Sequence, residues 1–491
     1  MSQLPVFQIL LPLLAAPLSV ILRRKTLVWQ LATGVAWASL IIAWNLLQEV
    51  QANGPIAYHI GGWAPPFGIE YRIDILNAFV LLIVTGIAAV VFPYARRSVE
   101  AEIPAEKHHL FYAALLLCLT GLLGIVITGD AFNVFVFLEV ASLSTYSLIS
   151  LGKDKRSLTS AFQYLVMGTM GGTSILIGIG LMYAVTGSLN MEDLAIRMAA
   201  MEDKRTLLVA FTFFCVGISL KLAVFPLHQW LPNAYTYAPS TVTAFVAATF
   251  TKVSFYVLLR VIFTLFGADL AFLDLHFDKV LLVLGLLGVF TGSLVAIYQE
   301  NIKRMLAYSS VAQIGYMIIG ISFYSVNGLT GGIVHLFNHA LMKGGLFMVM
   351  GCILLRLGSV QLSDMRGLGR RMPLTMAAFV VGGLSLIGVP LTVGFVSKWY
   401  LILAALENNL WPVALLMLVS SLLAVMYIWR VIEVAYFQKP DDDAPELREA
   451  PTSMLVTTWI MVGATVVFGV FTEQTAGVAR QAAAFLLGVS P

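Results

Sequence analysis

Charge is what this sequence has least of. Aspartate, glutamate, lysine and arginine make up 11% of its 491 residues, against 59% apolar types, a balance that cannot coat a water-soluble globule. The chain therefore reads as an integral membrane protein. Cysteine is nearly absent as well: Cys118, Cys215 and Cys352 stand apart in apolar runs with no CxxC spacing. That excludes a disulfide framework and gives no basis for a metal or iron–sulfur centre, so no cofactor is expected. Also missing are a basic stretch ahead of the first apolar run and a small-residue cleavage site behind it. MSQLP leads straight into the run and Leu22-Arg23-Arg24-Lys25 closes it, so no cleaved signal peptide is read. No polar segment is long enough for a soluble domain, and nothing points to nucleic acid.

What is present is a series of hydrophobic runs. Windows of about 20 residues, enough to cross a hydrocarbon core of roughly 30 Å, pick out spans near 5–22, 27–48, 75–95, 109–129, 131–151, 159–187, 206–231, 240–266, 279–299, 306–325, 328–356, 373–406, 411–436 and 452–474. The fold class is an all-α membrane protein of about fourteen transmembrane helices. Between them, IAYHIGG and GIEYRI alternate around APP and predict a small hairpin near 50–74. LNMEDLAIRMAAMEDKR, within 188–205, reads as an amphipathic interfacial segment. The acidic run DDDAPELRE after the thirteenth span reads as a solvated loop.

Basic residues sort by side. Loops after odd-numbered spans hold 18 of the 29 Lys and Arg, among them Arg23, Arg96, Lys153, Lys303, Arg304, Arg370 and Arg430, while the other loops hold six. By the positive-inside rule the odd loops are cytoplasmic and both termini extracytoplasmic, in a bacterial inner membrane. Five basic residues are left inside spans: Lys221, Lys252, Arg260, Lys343 and Lys398.

Two spans are interrupted. LKLAVFPLHQWLPNAY breaks at Pro226 and Pro232, SLIGVPLTVGFVSKWYL breaks at Pro390, and each carries a lysine close by. Broken helices five spans apart are what two inverted five-helix repeats produce, with an ion path where unwound backbone lines a cavity. The expected division is spans 1–3 over 1–108, a first repeat over 109–266, a second over 279–436, and a cytoplasmic loop with the last helix over 437–491.

A charge at mid-membrane costs roughly 2.5–3.5 kcal/mol on insertion scales, so each needs a partner or a task. Glu139 is the one carboxylate well inside a span, and Lys221 is its expected partner. Lys252 falls mid-way along the eighth span with no turn signal near it. In HLFNHALMKGGLF, His335, His339 and Lys343 recur every fourth residue and stack on one helix face over about 12 Å. Histidine titrates near neutrality and the proton affinity of lysine follows its surroundings, so this face fits a proton relay. As a metal site, HxxxH lacks the glutamate of HExxH and any third ligand. Lys398 continues the row. Arg260, about 12 Å along its helix from Lys252, reads as snorkelling to the outer interface. His228 stands past the break, either as a proton inlet or as a simple hydrogen-bonding group. Glycines at 168, 171, 172, 178 and 180 read as close helix packing.

FVFLEV, LKLAVFPLHQWLPNAYTYAPSTVTAF, TKVSFYVLLR, NIKRMLAYSSVAQIGYM, HLFNHALMKGGLF and GVPLTVGFVSKWYL, in that order, resemble the antiporter-like subunits shared by respiratory complex I and the Mrp multi-subunit cation/proton antiporters. The likeness runs from about residue 65 to 435. The length, the WAPPFGI segment and the short C-terminal end look most like the D-type subunits of the Mrp branch. The resemblance implies fourteen helices with two inverted repeats. It also implies functional roles at Glu139, Lys221, Lys252, His335, His339, Lys343 and Lys398, and partners among other membrane subunits, protons and Na⁺. Position 398 is glutamate in some complex I relatives, so the lysine leans away from that branch. On this reading the chain is a transporter subunit and not itself an enzyme. The rivals are a pumping subunit of a complex I or hydrogenase type complex, a membrane partner of an inorganic-carbon uptake complex, and a solute carrier acting alone.

Overall fold

The computed structural model of the chain describes residues 3–440 and 446–489. Most of the expected acidic loop, 441–445, lies outside them. Among the described residues thirteen helices are long and apolar enough to cross a bilayer. The first six crossings are Leu4–Leu22, Lys25–Asn53, Ile75–Glu102, His108–Ile127, Ala131–Ser150 and Arg156–Thr186. The seventh joins Arg205–Leu222 to Trp230–Tyr237, and the eighth is Ser240–Leu265. Phe277–Ile297, Ile302–Ser322 and Val326–Leu357 follow, and the twelfth is made of Pro373–Ile387 and Val393–Glu407. Trp411–Phe437 and Thr452–Val470 complete fourteen crossings.

Most boundaries have a local cause. Asp74 caps the third span by accepting from the amides of Leu76 and Asn77, while Asn77 accepts from the Asp74 amide in return. Asp130, Asn301 and Ser325 cap the fifth, tenth and eleventh spans, each accepting from one backbone amide in the first turn. The expected hairpin is present as Ile56–His59 paired antiparallel with Glu70–Ile73, and the amphipathic segment as helix Met191–Ala199. One element escaped the sequence reading: a final helix, Glu473–Leu487, packs on the third and eleventh spans.

The packing order of the fourth to seventh spans recurs in the ninth to twelfth. The fourth span lies on the fifth, the fifth on the sixth, and the sixth on both pieces of the seventh; the ninth to twelfth repeat the scheme. Backbones come very close at two crossings. A Cβ on Gly217 would stand 2.6 Å from the Gly171 carbonyl oxygen, and one on Gly315 would stand 2.6 Å from that of Gly285. Gly180, expected to pack in this way, faces open space instead. The eighth, tenth and eleventh spans are buried over nearly all their length, whereas the first, second and thirteenth expose long apolar faces. The buried centre is where the interior charges collect.

Candidate functional site

The seventh span stops because its backbone turns over at Ala223, which has φ +62°, and Pro226 lies in the gap between its two pieces. The carbonyl of Leu220 is freed by the break and accepts from Trp230 Nε1 at 2.8 Å. Pro232, read as a second break, instead sits in the first turn of the second piece, where a missing N–H costs nothing. Lys221 occupies the last turn before the break. Its Nζ lies 3.2 Å from Glu139 Oε1 and donates to Ser142 Oγ at 2.7 Å. The lysine side chain is 1% exposed and the glutamate 24%, so the pair is closed on one side and open on the other.

Lys252 is fully buried and has no carboxylate. Its Nζ donates to the Ala247 carbonyl oxygen at 2.5 Å and to Thr251 Oγ1 at 3.2 Å. Across from it the eleventh span presents the ladder that the spacing predicts. His335 and His339 stack with centroids 6.0 Å apart, and His335 Nδ1 meets Ser397 Oγ at 2.8 Å. Lys343 Nζ donates to the Leu306 carbonyl oxygen at 2.9 Å and to Ser309 Oγ. His339 has no protein partner on either ring nitrogen, and it lies in the fields of Lys252, Lys343 and His335. His335 in turn feels Lys398.

The twelfth span repeats the device of the seventh. Its first piece ends at Ile387 with Gly388 at φ +93°, and Pro390 falls in the gap. Lys398 Nζ reaches back to the freed Ile387 carbonyl oxygen at 2.7 Å, the negative end of that half-helix. It also donates to Ser421 Oγ at 2.9 Å. A rule emerges that the sequence did not signal. Each of the four lysines rests on a hydroxyl, from Ser142, Thr251, Ser309 or Ser421, and only Lys221 has an anion. One carboxylate thus serves the four lysines of the row, and each positive charge among them raises the cost of the others.

Two basic residues were misplaced from sequence. Arg260 does not snorkel. Its Nη2 lies 2.6 Å from both Asp74 oxygens, its Nε donates to Tyr256 Oη at 3.0 Å, and the pair is buried. The sequence hid this because Asp74 sits just outside a span, 186 residues away. Lys303, counted as a loop cation, is 2% exposed and donates to the Ala238 carbonyl oxygen at 2.9 Å. It lines a polar cavity of about 540 Å³ with Glu102, Lys153 and Asn301 on the face that carries the basic loops. His228 is partly buried, stacks on Phe225, and has no partner at Nδ1 among the described residues. Among the described residues no group of three or more metal-ligating side chains converges.

The chain as a whole resembles known proteins. The model of the transmembrane NADH:quinone oxidoreductase/Mrp antiporter family matches residues 128–426. The N subunit of the NADH-quinone oxidoreductase of Desulforudis audaxviator is 41% identical over 96% of this chain and 97% of its own. The D subunit of the Na⁺/H⁺ antiporter of Alkalihalophilus pseudofirmus is 29% identical over 96% and 95%. Among solved structures, a chain of the Mrp complex from Dietzia sp. DQ12-45-1b superposes with a TM-score of 0.91 at 26% identity, covering 99% of this chain and 98% of that one.

Proposed function

The chain belongs to the NADH:quinone oxidoreductase/Mrp antiporter family, and from that premise we propose that it is the proton-translocating subunit of a multi-subunit monovalent cation/proton antiporter. Protons move along the buried row: Glu139 with Lys221, then Lys252, then His335, His339 and Lys343, then Lys398. The observation that carries this reading is the set of lysines held on hydroxyls and carbonyls without anions, an arrangement costly for a structural charge. Opening or closing the Glu139–Lys221 pair changes the field along the row and so passes a proton on. Moving one charge across the membrane is worth about 2.3 kcal/mol per 100 mV, which drives Na⁺ or another cation the opposite way. The face with the basic loops is cytoplasmic, with both termini outside.

Partner membrane subunits supply the cation path, since the described spans hold no cluster of carboxylates. Exchange in vesicles made from antiporter-deficient cells tests this. The chain together with its partner subunits restores Na⁺/H⁺ exchange, and the chain alone gives none; independent exchange by the chain alone would sink the multi-subunit reading. The 41% identity to an oxidoreductase subunit favours a second reading, in which the same row serves a quinone-reducing complex. Quinone reduction by the purified assembly would decide for it.

A further inference from the structure

A run of aromatic rings joins the fifth and sixth spans to the second piece of the seventh. Tyr146 meets Tyr164 edge-on at 4.6 Å, Tyr164 stacks on Trp230 at 3.9 Å with planes 5° apart, and Trp230 meets Tyr235 edge-on at 6.5 Å. All four rings are buried. The indole N–H is satisfied by the Leu220 carbonyl. None of the hydroxyls of Tyr146, Tyr164 and Tyr235 closes a hydrogen bond of good geometry, although those of Tyr146 and Tyr235 come within weak reach of Ser142 and Thr251. Buried tyrosine hydroxyls ordinarily find a partner, and phenylalanine would fill the same space without leaving a polar atom stranded. Three such hydroxyls in one cluster call for a reason beyond packing.

Their placement supplies one. The Tyr146 hydroxyl faces Ser142, which holds Lys221 at 2.7 Å. The Tyr235 hydroxyl faces Thr251, which holds Lys252 at 3.2 Å. The Tyr164 ring meets Tyr146 on one side and, on the other, Trp230, which in turn meets Tyr235. We propose that Tyr146, Tyr164 and Tyr235 form a hydroxyl relay that carries protons between Lys221 and Lys252, with Ser142 and Thr251 as its two ends. The Lys221 ammonium releases a proton to Ser142. Each hydroxyl oxygen then accepts one proton and gives up the one it held, directly or across a single water, and the neutral amine of Lys252 takes the last. The relay ends as it began, uncharged, and no co-reactant is needed. Hydroxyls left free of fixed partners can rotate, as each must after a transfer.

This inference rests on the proton-row reading and adds three residues to it. The test uses the assembled complex in proteoliposomes with Tyr146→Phe, Tyr164→Phe and Tyr235→Phe, each removing one oxygen and keeping the ring. The expected result is a loss of exchange of tenfold or more in each, with the complex assembled as in the unaltered protein. The double variant Tyr146→Phe/Tyr235→Phe should be no slower than the slower single, because a serial relay is already broken by one lost link. Full-rate exchange by the Phe variants, while Lys221→Ala and Lys252→Ala abolish it, overturns the relay and leaves the row standing. Full-rate exchange by all five overturns both. Loss of rate together with loss of assembly also counts against the relay, since it makes the hydroxyls structural.

Discussion

Asp74→Asn removes one negative charge and almost nothing else, which makes it a clean probe of how this fold holds a guanidinium in its interior. The amide keeps an oxygen to cap the third span but can no longer neutralise Arg260, whose side chain is 8% exposed against 4% for the aspartate. Breaking a buried pair from one side costs about 3–5 kcal/mol, because the remaining charge stays desolvated. Asp74→Ala should cost about 1 kcal/mol more, through loss of the cap to Leu76 and Asn77. Adding Arg260→Met to Asp74→Asn should recover most of the loss, since an apolar side chain of similar volume leaves no stranded charge. Unfolding in mixed detergent micelles measures these variants against the unaltered protein. A loss below about 1 kcal/mol for Asp74→Asn, or no recovery in the double variant, refutes the assignment of a buried structural ion pair.

Two glycines separate positioning from packing. A Cβ on Gly172 would fall 2.2 Å from Glu139 Oε1, the mobile end of a side chain. Gly172→Ala should therefore leave the complex assembled, push the carboxylate off Lys221 and slow exchange several-fold; an unchanged rate would mean that the pair tolerates displacement. Gly217→Ala meets the Gly171 backbone at 2.6 Å, so the sixth and seventh spans must separate. The amount of assembled complex should fall before any effect on rate per complex is seen, and normal yield would contradict the close crossing.

Much of this architecture was legible because a bilayer restricts what a chain can do: apolar length gives crossings, and a proline beside a lysine marks a break. Glu139 and Lys221 could be paired from sequence since few other charges were available. Arg260 could not, because Asp74 looked like part of a surface hairpin and only the folded chain brings the third span's cap under the eighth span's end. Lys303 was misread for the same kind of reason, as its helix begins in a loop that the second piece of the seventh span covers. None of the serines and threonines under the lysines could be matched to its lysine from sequence. Hydroxyls in membrane helices commonly bond to the carbonyl one turn back, as Thr145 and Thr249 do here. The final helix Glu473–Leu487 went unread because its alanine-rich stretch is too polar overall for a span and too short to stand out.

On the proposed reading Lys252 carries protons and does not merely fill space. It is fully buried, pairs with no carboxylate among the described residues, and its amine donates to a carbonyl and a hydroxyl. Lys252→Met keeps the length of the side chain and removes the charge, so the fold should hold at least as well as before. Cation/proton exchange by proteoliposomes containing the whole complex with Lys252→Met is the direct measurement. Exchange at background with the complex intact is the expected result. Exchange at the rate of the unaltered protein would contradict it.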